Sequence, residues 1–120
     1  MTDDGIIVTP MVTDHAIVLG IAGDLDMVTS PACERALTDA IAKLPPPGLV
    51  ILDLRRLRFL SVAGIRLLLA FSDACADQGM RACLVLNPAS HVQRVIRLIG
   101  GERLLPVFHT AGQAIRYGYS

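Results

Sequence analysis

The sequence predicts a mixed α/β fold: one domain over residues 1–120, its sheet opening with a β-hairpin and carrying helices packed on one side, in the order ββαβαβαβα. Three observations predict it. The 120 residues are enough for a single buried core. Hydrophobic residues make up 52% of the chain and mean hydropathy is +0.53, so the sheet must be covered by helices and not left thin and two-sided. After two aliphatic runs at the start, helix-like and strand-like patterns alternate to the end.

The elements follow in order. "GIIVTPMV" and "HAIVLGIAG" are rich in β-branched residues and are parted by Thr13 and Asp14, which reads as the hairpin. In "TSPACERALTDAIAKL", Ser30 and Pro31 start a helix, and Cys33, Ala36, Leu37, Ala40, Ile41 and Leu44 recur at helical spacing. "PPPG" at 45–48 stops it. "LVILDL" is short and wholly aliphatic, as a strand buried on both faces should be. A second helix runs from Val62 to about Gln78 and closes at Gly79. "RACLVL" is the next strand. "NPASHVQRVIRLIGG" gives a third helix, with Pro88 in its first turn and Gly100–Gly101 as its stop. "LLPVF" and "TAGQAIRYG" supply a last short strand and a last short helix.

Composition narrows the function. Eleven basic residues balance eleven acidic ones, so no overall field draws nucleic acid or anionic lipid. There is no Trp and only 4% aromatic residues, too few for a base-stacking surface. No apolar run reaches the length of a membrane span, and the acidic start "MTDDGIIV" is unlike a secretory signal. A cytoplasmic protein is expected. Cys33, Cys75 and Cys83 are odd in number and lack close pairing, which reads as three reduced, buried thiols. Cys75 near a helix end and Cys83 in the next strand are the candidates for a redox pair.

No catalytic constellation assembles from the residues. Ser61 would need a base, and nothing in the sequence brings His15, His91 or His109 to it. No His or Cys spacing suits a metal, and no cofactor motif is present. Ser61 instead reads as a helix cap, its hydroxyl accepting an orphan N–H of the first turn for about 1 kcal/mol. Arg66, Asp73 and Asp77 recur at helical spacing and mark the solvent stripe of that helix, bordered by Ala63, Leu69 and Ala70. One turn back from Arg66 stands Val62, expected at the surface. An apolar side chain beside a cation suits a protein contact better than a reaction. In "AGDLDMVTSP", Gly23 permits a turn, and Asp24 and Asp26 brace the loop or point acceptors outward. His91, Arg94 and Arg97 form a basic stripe on the third helix, expected to be a solvated face.

These segments together resemble the STAS domain of bacterial anti-sigma factor antagonists over essentially the whole chain. "GDLDMVTSPACERAL" is similar to the family's loop and helix start, "LVILDLRRLRFLSVAGIRLLL" to its strand, F-x-D-S-[ST]-G-[LI] turn and helix, and "NPASHVQRVIRLIGGERLLPVFHT" to its third helix and final strand. The resemblance implies a STAS-like mixed sheet and a protein that is not an enzyme. It would bind an anti-sigma factor of serine-kinase type, with a histidine-kinase-like ATPase fold, and so free a sigma factor to direct transcription. In the family, partner switching follows phosphorylation of a serine in the turn before the second helix. This chain departs there: Ser61 takes the place of the acidic residue, Val62 that of the phosphorylated serine, Ala63 that of the following hydroxyl and Gly64 that of the glycine. An isopropyl group accepts no phosphate, so docking is expected without the usual switch.

The resemblance places the partner-binding surface on Asp24, Asp26, Leu60, Ser61, Val62, Ala63, Gly64 and Arg66. A variant reading keeps phosphorylation at Ser61, one residue upstream of the acceptor position. The alternative function is an accessory STAS module of a lipid-transport or sensory complex. Neither nucleic acid nor membrane is expected as a partner, and the chain alone is read as a monomer or weak homodimer.

Overall fold

The computed structural model describes residues 2, 3, 5–13, 16–42, 48–103 and 105–118. Strands β1 (Thr2–Asp3), β2 (Ile6–Val12) and β3 (Ala16–Leu25) lead into α1 (Ser30–Ala42). Then come β4 (Leu49–Asp53), β5 (Leu57–Leu60), α2 (Val62–Asp77), β6 (Arg81–Val85), α3 (His91–Leu98), a 3-10 turn at Gly101–Arg103, β7 (Val107–Phe108) and α4 (Ala111–Gly118). The sheet order is β1-β2-β3-β4-β6-β7. Strands β1 to β3 are antiparallel neighbours, and β3, β4, β6 and β7 run parallel. The mixed α/β sheet expected from the sequence is therefore the one formed.

Two strands were not expected. β1 is a two-residue addition to the edge of β2. β5 continues the line of β4 after a turn at Leu54–Arg56: β3 pairs with β4 over Ala16–Gly20, then with β5 over Gly23–Leu25. A register shift at Gly23/Asp24 makes this change of partner. Gly23 sits there at φ +108°, and a Cβ would collide with the Gly5 carbonyl. The paired arginines mask β5 in the sequence because they interrupt the apolar run.

The third helix begins later than its Pro88 start implied. Ala89 adopts φ +61°, outside helical geometry, so Pro88 precedes the helix and Ser90 caps it. The final strand is shorter than "LLPVF". His15, Asp14 and the prolines at 45–47, to which the hairpin turn and helix stop were assigned, lie outside the described residues, as do Leu44 and Leu104.

Helices α1, α2 and α3 pack on one face, against Ile17, Leu19, Ile21, Val50, Leu52 and Leu84. The one-sided arrangement holds for these three. Helix α4 crosses to the other face, where Ala114 meets Ala16, Val18, Leu49, Ile51, Cys83 and Val85. The strand alternation dictates this: β4 and β6 are buried on both faces, so a second apolar layer needs a cover.

This layering settles the cysteines. All three are free and buried. Cys75 belongs to the layer under α2 and Cys83 to the layer under α4, so the sheet stands between them and the Cys75–Cys83 pair is excluded. Burial pushes the Cys33 and Cys83 thiols up to about 12 and that of Cys75 up to about 11.

Candidate functional site

β3 and β5 run parallel and finish side by side, Leu25 opposite Leu60. The two loops that leave them, into α1 and α2, therefore open at one edge of the sheet. They are tied together where they start: the Ser61 N–H donates to the Leu25 carbonyl at 2.9 Å.

The α1 loop is braced by one carboxylate. Asp26 Oδ1 accepts from the Val28 and Thr29 N–H groups, both at 2.9 Å. Thr29 Oγ1 donates to the Asp24 carbonyl at 2.7 Å and accepts from the Asp26 N–H at 3.0 Å. The Thr29 amide bond is the main reason the Asp26 carboxyl lies below the usual carboxylate range. These bonds engage the loop's polar atoms, while Met27 and Val28 point out, 77% and 83% exposed.

The α2 turn is braced by one hydroxyl. Ser61, extended at φ −93° and ψ 173°, accepts from the Gly64 N–H at 3.2 Å. This is the cap read from the sequence. The next side chain, Val62, is 64% exposed. Ala63 is half-buried, Arg66 is exposed, and Asp73, Asp77 and Ala70 continue the outward stripe.

Two residues assigned to the contact surface belong to the interior. Leu60 is only 2% exposed and sits in the core beneath the turn, because β5 places residues 57 and 60 inward. Gly64 is buried, and a Cβ there would stand 2.8 Å from both the Leu25 side chain and its carbonyl. Its role is close approach of α2 to the end of β3. Of the loop carboxylates, Asp26 is committed to backbone amides. Asp24 faces solvent and meets Arg58 at 3.4 Å, with both side chains well exposed, a pair worth at most about 1 kcal/mol.

The site has members that sequence reasoning missed. Phe59 is 45% exposed and stacks on His91 at 5.9 Å between ring centroids, 11° from parallel. The stack carries the apolar surface from β5 onto the start of α3. No periodicity marks Phe59, because β5 buries residues 57 and 60 and exposes the two between them; an apolar pair inside an Asp-braced loop was the signal for Met27 and Val28. Arg94 is exposed on the same helix as His91.

No hydrogen bond joins Ser61 to an imidazole among the described residues. Among them also, no group of three His, Cys, Asp or Glu side chains is placed to hold a metal ion, and no helix is long and apolar enough to cross a membrane. His109 packs its own amide against Gln113 Oε1 at 3.0 Å, on the α4 side of the chain.

These features define a mixed α/β domain that presents an apolar edge beside the paired strand ends. Its sequence matches the pattern of the STAS domain family over residues 8–114, and the chain belongs to that family. It is 32% identical over 110 residues to the protein named anti-sigma-F factor antagonist RsfB of Mycobacterium tuberculosis, covering 90% of this chain and 87% of that one. In fold it is similar to an anti-sigma factor antagonist from Mycobacterium paratuberculosis, with a TM-score of 0.81 at 24% identity, over 99% of this chain and 98% of the other. The unphosphorylated anti-sigma factor antagonist SpoIIAA superposes with a TM-score of 0.70 at 24% identity, over 92% of each chain.

Proposed function

We propose that this protein is an anti-sigma factor antagonist that docks on its anti-sigma factor through the paired strand ends and does so without a phosphoserine switch at the usual position. Its partner is an ATPase of serine-kinase type, and its capture frees a sigma factor for transcription in the cytoplasm. The observation that carries this reading is Val62, an apolar side chain standing in solvent at the start of α2. Met27, Val28 and Phe59, exposed at the same edge, add contact area. The 32% identity to an anti-sigma-F factor antagonist supplies the partner class. Against Ser61 as a replacement acceptor stands its capping role: its hydroxyl already accepts from the Gly64 N–H.

The test is a pull-down from the host together with a labelling reaction. The complex with an ATPase-fold anti-sigma factor should form, and incubation with that kinase and ATP should leave the protein unlabelled. Stoichiometric phosphate on Ser61 or elsewhere in the turn would overturn the missing switch. Co-purification with a transporter ATPase in place of the anti-sigma factor would move the protein to the accessory-module class.

A further inference from the structure

The sheet face under α4 is only half covered. Beside the helix, the outer faces of β2 and β3 form an open trough of about 320 Å³. We propose that this trough binds a small amphiphilic anion, an apolar chain ending in a carboxylate, with Arg56 at its head. The reading is independent of partner docking, which uses a different edge.

The trough follows from register. Three cross-strand pairs lie along it: Ile7 opposite Ala22, Thr9 opposite Gly20, and Met11 opposite Val18. The β3 member of each pair is the smaller side chain or none, so the floor is low and the β2 bank is high. From Val18 to Ala22 the floor runs about 13 Å at strand spacing. Ile7 and Met11 stand exposed on the bank. The volume sits at the small end of ligand pockets.

Charge selects the occupant. At the head of the trough the Arg55 guanidinium forks onto the Asp53 carboxylate, Nε to Oδ1 at 2.9 Å and Nη2 to Oδ2 at 2.8 Å. That pair is neutral. Arg56 is exposed and makes no ion pair among the described residues, so one positive charge is left over. An apolar channel with one surplus guanidinium matches a monoanion with an apolar tail. A second copy of this chain would bring the same surplus charge to the contact, and a flat lipid surface does not enter a concave trough.

The test uses the full chain and decanoate below its micelle concentration, read by amide chemical shifts and calorimetry. Decanoate should shift the Val18, Gly20 and Ala22 amides saturably. Arg56→Gln should weaken binding at least tenfold. Gly20→Val should abolish it with the fold intact, since a Cβ at residue 20 meets only the Thr9 carbonyl at an ordinary 3.6 Å. Decanol binding as tightly as decanoate would overturn the role of Arg56. Unmoved amides, or a dimer whose shifts map to the same residues in the absence of decanoate, would overturn the site itself.

Discussion

The starts of α2 and α3 share one device and present different surfaces. Ser61 and Ser90 are both extended and both accept from the N–H three residues on, at 3.2 Å and 3.1 Å. The first helical side chain then differs: Val62 stands in solvent, whereas His91 lies flat against Phe59. The third helical residue differs too. In α2 it is Gly64, which lets the backbone press on Leu25. In α3 it is Gln93, buried, whose amide, turned to satisfy both neighbours, donates to the Asn87 carbonyl at 3.0 Å and accepts from Arg97 at 3.1 Å. The serine hydroxyls are spent alike on backbone amides. What the two helix starts present to solvent is decided by the side chain that follows the cap.

The largest expected effect tests that contrast directly. Val62→Asp should weaken anti-sigma binding by about 2 kcal/mol or more, roughly thirtyfold, as a charge in the middle of an apolar contact does. Thermal stability should hold, since a carboxylate is favoured at a helix N-terminus. His91→Asp makes the matching change on α3 and should weaken binding less, because it sits beyond the Phe59 ring. Equal losses in calorimetry would break the distinction between the two starts.

Phe59→Ala removes the link between them. Affinity should fall by about 1 kcal/mol while His91 becomes free to reorient, visible as a change in its imidazole chemical shifts. Ser61→Ala and Ser90→Ala should each lower stability by about 1 kcal/mol in urea unfolding. A much larger loss for one alone would show that the caps are not equivalent.

The smallest effect is acid sensitivity. Asp26 is depressed chiefly by the Thr29 amide. For Asp53, burial raises the carboxyl, but the bonds and charge of Arg55, with Arg56 behind it, outweigh this and hold it low. Stability from a carboxyl depressed on folding is fully present above its unfolded value, about 3.9, and fades as pH drops through the folded value. Asp26→Asn should therefore flatten the loss of stability below about pH 4 and leave the cap region of α2 untouched.

Much of the fold was legible because strands buried on both faces and amphipathic helices carry strong patterns. Val62 was placed outward from the solvent stripe of Arg66, Asp73 and Asp77, one turn back from Arg66, and the Ser61 cap from its position before the helix. Leu60 was misassigned because a turn read as exposed contained the end of an unseen strand, and Gly64 because its burial comes from the close approach of α2 to Leu25. β5 was hidden by Arg55 and Arg56, which break the apolar run but occupy only the bend after β4. The crossing of α4 to the second face follows from how β4 and β6 alternate, a tertiary fact that no single segment expresses. Phe59 and His91 are far apart in sequence, and only the packing of α3 against β5 brings them together.

The isopropyl group at the mouth of α2 has a consequence for dosage. In the proposed docking mode, an interface centred on Val62 is not switched by a phosphate at that position. Occupancy of the anti-sigma factor would then track the ratio of the two proteins, so that expression and turnover set the response.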